Sequence, residues 1–176
     1  LRFELNADLT DRLAGLAVDH DATPFIVVLS AFTTLLARYA GTSEVVIGTP
    51  ISQRPDPALE HVIGLFVNTL ALALDHDPSA SFSDQVSKVR DVLLDGFRHQ
   101  DAPFESVVDA LAVPRNWSHN PVFQAMFTWQ GTEPTTVGLD GLASQPVPLR
   151  QDTSKVDLTL DVRQRDGRLA CTFIYR

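Results

Sequence analysis

The sequence predicts an α/β fold, a two-layer sandwich in which a mixed sheet carries helices packed on it. Three observations predict it. Apolar residues recur at helical spacing in several separate stretches, residues 61–74 form an apolar run that fits a strand, and residues 156–175 alternate strictly around an Asp-Gly turn. A chain of 176 residues, 44% apolar and 20% charged, supports one hydrophobic core and is read as a single unit over 1–176.

Leu9, Leu13, Leu16 and Ala17 behind Asn6 and Asp8 predict a first helix over 8–19, ending near His20 and Asp21. Thr23-Pro24 is a helix start, with a capping hydroxyl followed by a proline at the first position. Phe25, Val28, Leu29, Phe32, Leu35, Leu36 and Tyr39 carry this second helix, read as largely buried, to Gly41. Glu44 to Thr49 is β-branched and predicts a short strand that stops at Pro50. Pro50, Pro55 and Pro57 then make residues 50–61 a loop.

His61 to Leu74 is the stretch around which the chain is organised. Phe66, Leu70, Leu72 and Leu74 fall on one side of a strand and Leu65, Val67, Ala71 and Ala73 on the other, which predicts a central strand covered on both faces. Asn68 and Thr69 interrupt it. A buried polar group without a partner costs about 1–3 kcal/mol, so this pair is expected to hydrogen-bond something specific. It either pins a neighbouring loop or lines a cleft.

Residues 75–79 read as a turn. Phe82, Val86, Val89, Leu93 and Phe97 then predict a third helix, capped by Ser81 or Ser83 and ending at Arg98 and His99. Asp101 as N-cap and Pro103 in the first turn predict a fourth helix bearing Phe104, Val107, Val108 and Leu111. A polar loop runs from 113 to Pro121, and a mostly apolar strand from Val122 to Trp129. Residues 131–154 are rich in Gly, Pro, Thr and Ser, with one short strand expected over 142–147. Val156, Leu158, Leu160 and Val162 face Leu169, Cys171, Phe173 and Tyr175 across Asp166-Gly167, a hairpin.

Composition narrows the function. With 14 basic and 22 acidic residues the net charge is −8, and no Lys/Arg run exists, which argues against nucleic acid and anionic membrane as partners. No apolar run approaches the ~20 residues of a membrane span, so a soluble, cytoplasmic protein is expected. The single cysteine, Cys171, reads as a small buried thiol. The five histidines, at 20, 61, 76, 99 and 119, have no metal-ligand spacing, and neither a phosphate-binding glycine loop nor a Gly-x-Ser-x-Gly elbow is present. From motifs alone the chain carries no catalytic residue and no metal site. His99 reads as a complement to the helix dipole rather than a base.

Three segments occur in order: Ile63-Gly64-Leu65-Phe66-Val67-Asn68-Thr69, His99-Gln100-Asp101-Ala102-Pro103-Phe104-Glu105, and Arg115-Asn116-Trp117-Ser118-His119-Asn120-Pro121-Val122-Phe123. Thr49-Pro50-Ile51-Ser52 precedes them and Val156-Asp157-Leu158-Thr159-Leu160 follows. Together they resemble the condensation domains of nonribosomal peptide synthetases, over most of the chain and in the second half of the domain. The resemblance implies one lobe, the C-terminal one, of a chloramphenicol acetyltransferase-like pseudo-dimer. It also implies amide bond formation, in which the amine of an acceptor attacks a donor thioester, both carried on phosphopantetheine arms that enter a tunnel from opposite ends.

The family's His-His-x-x-x-Asp-Gly motif would belong to the other lobe, so the isolated chain is expected to be inactive. By resemblance, Gly64, Phe66, Asn68 and Thr69 would line or support the tunnel, and residues 50–61, with Ser52, would floor it. Gln100, Asp101, Pro103 and Phe104 would buttress its wall, Arg115, Asn120 and Pro121 would set the turn into the next strand, and 131–154 would form a latch arm. Implied partners are the N-terminal lobe, donor and acceptor peptidyl carrier domains and an adjacent adenylation domain, with no cofactor bound covalently. The sequence departs from the family pattern at Ala102, where a larger residue is often found, and at Trp117 and His119. A condensation-like domain that has lost catalysis and recruits a partner enzyme is the alternative. Epimerisation and heterocyclisation fit the 66–69 and 99–105 segments less well.

Overall fold

The first strand of the sheet, β1 (Arg2–Leu5), pairs with the last, β6 (Arg168–Tyr175), in a computed structural model that describes residues 1–54, 56–113, 120–130, 142, 147, 153–165 and 167–176. Helices α1 (Ala7–Asp19) and α2 (Pro24–Ala40) follow, then β2 (Glu44–Ser52), a 3-10 turn at Pro57–Leu59 and β3 (Val67–Asp75). Helices α3 (Phe82–Arg98) and α4 (Phe104–Leu111) precede β4 (Ala125–Gln130) and the hairpin of β5 (Leu158–Arg165) with β6.

Local chemistry accounts for the helix boundaries. The Asn6 side chain accepts from the Leu9 N–H at 2.9 Å, and Thr23 Oγ1 accepts from the Ile26 N–H at 3.4 Å. Gly41 ends α2 at φ 64, where only a residue free of a Cβ penalty sits without strain. Ser81 and Asp84 form a reciprocal capping box at the start of α3. Among the described residues no single helix is long and apolar enough to cross a membrane.

The six-stranded sheet has the order β1-β6-β5-β4-β2-β3. The β2–β4 and β4–β5 pairings are parallel and the others antiparallel, which makes the sheet mixed, as expected. One face is buried by α1, α2 and α3: Ile47, Leu70, Leu72, Leu74, Phe127, Leu160, Val162, Leu169 and Cys171 join Val27, Leu29, Phe32, Val86, Val89 and Leu93 in a continuous core. Removing that much apolar side chain from water is what holds the layers together, at about 25 cal/mol per Å².

Several sequence expectations need correction. β3 is an edge strand, not the centre of the sheet, and it begins only at Val67. Its alternate residues Leu70, Leu72 and Leu74 are buried under α3, whereas Val67 and Ala73 on the reverse side are exposed. Leu65, one of the apolar residues that made the run look two-sided, belongs with Ile63 to the preceding loop, and the two are 91% and 102% exposed. β2 does not stop at Pro50 but continues to Ser52, pairing Pro50 with Thr69 and Ile51 with Asn68. Its ladder with β4 ends at Gly48, so Pro50 lies where the strand is partnered on one side only, a position that tolerates a missing N–H. Leu35 and Tyr39 are exposed on α2, with Tyr39 at 87%. β1 was not foreseen, β4 begins at Ala125 rather than Val122, and Val156 is buried ahead of β5 instead of within it. The strand expected over 142–147 lies outside the described residues except for Leu142 and Val147, both exposed, and the 131–154 arm is described only at these two and at 153 and 154.

Parallel pairing brings the C-terminal ends of β2, β4 and β5, and hence the start of β3, to one rim of the sheet. In open α/β sheets this rim is where ligands are bound.

Candidate functional site

Asn68 stands at that rim, 8% exposed, one residue into β3. Its Nδ2 donates to the Gln100 carbonyl at 3.0 Å and to the Ala102 carbonyl at 2.8 Å, while its Oδ1 accepts the Phe104 N–H at 3.1 Å. The side chain thereby spends both its donors and one acceptor on the corner where α3 turns into α4. The expectation that Asn68 has specific partners holds. Thr69 differs, since it makes no side-chain hydrogen bond among the described residues.

The same bonds correct the role given to Asp101. The N-cap of α4 is Pro103, with no side-chain cap of its own, and Asp101 is exposed. The first N–H of α4 is satisfied from across space by Asn68, a remote cap in place of a local one. His99 behaves as a helix-end residue: its Nδ1 lies 2.9 Å from the Asp95 carbonyl, and the ring is exposed.

The loop between β2 and β3 has its own clamp. The Gln53 N–H donates to the Phe66 carbonyl at 2.8 Å, closing the neck, and Gln53 Nε2 donates to the Gln100 carbonyl at 3.1 Å. Arg54 donates to the Leu59 carbonyl and, at 2.9 Å, to the Val62 carbonyl, with its guanidinium 4.3 Å from the centre of the Phe66 ring. A Cβ on Gly64 would come within 2.8 Å of that ring, which explains glycine at a position with no unusual φ. Ser52 is exposed at the end of β2.

Phe104 joins the corner to the reverse face of the sheet. Its ring lies 5.4 Å from that of Phe123, and a Cβ built on Gly48 would fall 2.3–2.7 Å from Phe123. Because Ile47 and Thr49 point to the helical core, Gly48 and therefore Phe123 lie on the opposite side. The α3–α4 corner carries the chain around the β3 edge. Asn120 and Pro121, both half-buried, set the entry to this residue: Asn120 Oδ1 accepts the Val122 N–H at 3.4 Å and its carbonyl accepts from Gln124 Nε2 at 3.1 Å. Arg115 lies outside the described residues.

Gly64, Phe66, Asn68, Gln100, Pro103 and Phe104 therefore belong to one assembly, held by carbonyl and amide contacts and by the Arg54 guanidinium over Phe66. Gln53, Arg54 and Gly48 were missed by sequence reading. Two of them look like ordinary polar residues in a proline-rich loop, and a glycine in a β-branched strand signals close approach without naming the neighbour. Among the described residues no group of three or more His, Cys, Asp or Glu could hold a metal ion. An open cavity of about 440 Å³, lined by Glu4, Arg165, Arg168 and Ala170, lies at the other edge of the sheet. The assembly contains positioning groups and no nucleophile paired with a base.

Known proteins are similar to this chain in sequence and fold. Malpinin synthetase of Mortierella alpina is 39% identical over 170 residues, covering 97% of this chain and 2% of that protein. Bacitracin synthase 3 of Bacillus licheniformis is 35% identical over 175 residues, covering 99% of this chain and 3% of that protein. Phosphinothricin tripeptide synthetase PhsC of Streptomyces viridochromogenes is 37% identical over 178 residues, covering 99% of this chain and 16% of that protein. The chain thus spans a small fraction of the length of these relatives. Among solved structures, the four-domain nonribosomal peptide synthetase holo-AB3403, bound to AMP and glycine, superposes with a TM-score of 0.87 at 28% identity, over 100% of this chain and 14% of that one. The X-domain in complex with OxyB from teicoplanin biosynthesis superposes with a TM-score of 0.89 at 25% identity, over 99% and 39%. The condensation domain family matches the chain from residue 1 to residue 176, and it is to this family that the chain belongs.

Proposed function

We propose that the chain is the C-terminal lobe of a nonribosomal peptide synthetase condensation domain. In this reading it supplies tunnel wall and carrier-docking surface on the acceptor side to amide bond formation between carrier-bound thioesters. The observation that carries the reading is the Asn68 assembly: the 63–69 and 99–105 segments, which together with 115–123 resemble the family, meet in one hydrogen-bonded corner at the rim where open α/β sheets bind ligands. The lobe positions and does not attack, and geometry comes before pKa in choosing a base. The paired histidines would come from an N-terminal lobe of the same fold, in a chloramphenicol acetyltransferase-like pair. The 50–61 and 131–154 segments would serve as floor and latch between the lobes. Donor and acceptor carrier domains would bring substrates on phosphopantetheine arms, next to an adenylation domain.

The test supplies carrier-bound donor and acceptor thioesters to the purified chain and to the full-length protein that contains it, with product followed by mass spectrometry. Product is expected from the full-length protein alone. Turnover by the chain itself would overturn the division of labour between lobes.

A second reading has its own observation. The likeness to the X-domain, which was solved bound to OxyB, supports a lobe that recruits a partner enzyme to the assembly line without catalysis. Absence of condensation by the full-length protein, together with retention of a partner enzyme in a binding assay, would favour it.

A further inference from the structure

We propose that Gln53 is a positioning residue that makes the 53–66 loop and the α3–α4 corner one rigid body. A backbone carbonyl has two lone pairs, and at Gln100 two side-chain amides approach it, Asn68 Nδ2 at 3.0 Å and Gln53 Nε2 at 3.1 Å. The Asn68 bond fixes the corner to the strand. The Gln53 bond does something separate, because Gln53 is the first residue beyond β2 and lies 47 positions from its acceptor.

Gln53 also closes the loop on itself. Its N–H donates to the Phe66 carbonyl at 2.8 Å, so one residue joins the two ends of the loop through its main chain and ties them to the corner through its side chain. Inside the neck, Arg54 gathers the Leu59 and Val62 carbonyls and covers the Phe66 ring. The loop tip, with Val62, Ile63 and Leu65 exposed, is therefore connected to Gln100 by a short series of direct contacts. A displacement at the tip is transmitted to the backbone that precedes Pro103 and Phe104.

The consequence for substrate rests on the function proposed above. Loop and corner would form adjacent walls of the acceptor path, and Gln53 would hold their separation. Its loss should then raise KM for the carrier-bound acceptor while kcat, set by groups on the other lobe, stays the same.

Hydrogen exchange on the full-length protein tests the coupling without any activity measurement. Gln53→Met keeps the length of the side chain and removes the donor, and Gln53→Lys restores a donor at comparable reach. In the Met variant, exchange should rise about fivefold in peptides covering 60–66 and in those covering 101–106, the change expected from one lost hydrogen bond. Peptides of β5 and β6 should be unaltered, and the Lys variant should resemble the parent. A change confined to the residues beside 53, or an equal rise in the Met and Lys variants, would overturn the coupling. KM measured on the same proteins should rise several-fold for Met and not for Lys, with kcat within about twofold of the parent. Coupled exchange with an unaltered KM would overturn the substrate-side part, and a full-length protein that shows the coupling yet forms no amide at all would count against the proposed function instead.

Discussion

Asn68 Oδ1 accepts the N–H of Phe104 at 3.1 Å from 36 positions earlier in the chain, so a strand caps a helix that has no cap of its own. Helix caps are ordinarily local, supplied by the residue just before the first turn. Here the cap is part of the tertiary fold, and forming α4 correctly depends on β3 being in register.

Asn68→Ala should accordingly cost more than a surface cap. It removes two donors from partly buried carbonyl contacts and one acceptor from the helix, a loss of about 1–3 kcal/mol. Asn68→Asp keeps the acceptor for Phe104 but sets a carboxylate against the Gln100 and Ala102 carbonyls, and should be at least as unstable at neutral pH. Chemical denaturation of the three proteins decides the order; an Asp variant close to the parent would show that the cap outweighs the two carbonyl contacts.

A methyl group at position 48 has no room. Gly48→Ala places a Cβ within 2.3–2.7 Å of the Phe123 ring, and overpacking of this kind costs about 1–3 kcal/mol. Phe123→Leu alone should also destabilise, by leaving space beside Phe104. The double variant Gly48→Ala/Phe123→Leu should be more stable than the sum of the two losses predicts. Thermal melts of the set measure this interaction, and strict additivity would mean that Phe123 moves aside freely.

Acid should act on the start of α3. The Ser81 hydroxyl and N–H donate to the Asp84 carboxylate, at 2.7 and 3.2 Å, and hold its carboxyl below the ordinary 3.8; the Ser79 hydroxyl and N–H do the same for Asp77. A carboxyl whose folded pKa lies below its unfolded one adds stability that is complete above the unfolded value and disappears as pH falls through the folded value. Ser81→Ala should therefore lose less stability than the parent between about pH 5 and about pH 2. Urea midpoints across that range provide the comparison, and parallel curves would remove Asp84 from the acid response.

Cys171 should be unreactive while the protein is folded. It is buried in the core, and loss of solvent, with a lesser contribution from the nearby Asp161 charge, pushes its thiol up to about 11. The thiolate is the reactive form, so at neutral pH alkylation should be slow in buffer and complete in denaturant. Intact mass after iodoacetamide treatment reads both states. Rapid modification of the native protein would show that β6 opens locally.

What the sequence revealed and what it concealed divide along the range of the interactions. The helices were legible because their signals are local: Asn6, Thr23, Ser81 and Gly41 act within a few residues of themselves. Asn68 was legible as an oddity, a polar side chain in an apolar run, but its partners lie 32 to 36 positions away and no spacing rule reaches them. The same remote bond made Asp101 a false cap. Placing β3 at the centre of the sheet failed because small residues such as Ala71 and Ala73 are apolar enough to look buried while costing little at an edge. β1 was invisible for a simpler reason, since four residues, three of them exposed and none of them flanked by a turn signal, hold too little pattern to identify a strand.

The pairing of Arg2–Leu5 with residues 169–172 has a consequence for synthesis. As the chain leaves the ribosome, the β2–β3 hairpin can zip soon after its residues emerge, since its two strands are close in sequence. β1, although it precedes the other five strands of the sheet in sequence, has no strand to join until β6 has been translated. Until then its backbone groups stay in water or find a transient partner, and the stacked rings of Phe3 and Phe173 cannot meet. The first strand of this sheet to be made is thus among the last to be used, and closing the sheet waits on the synthesis of β6.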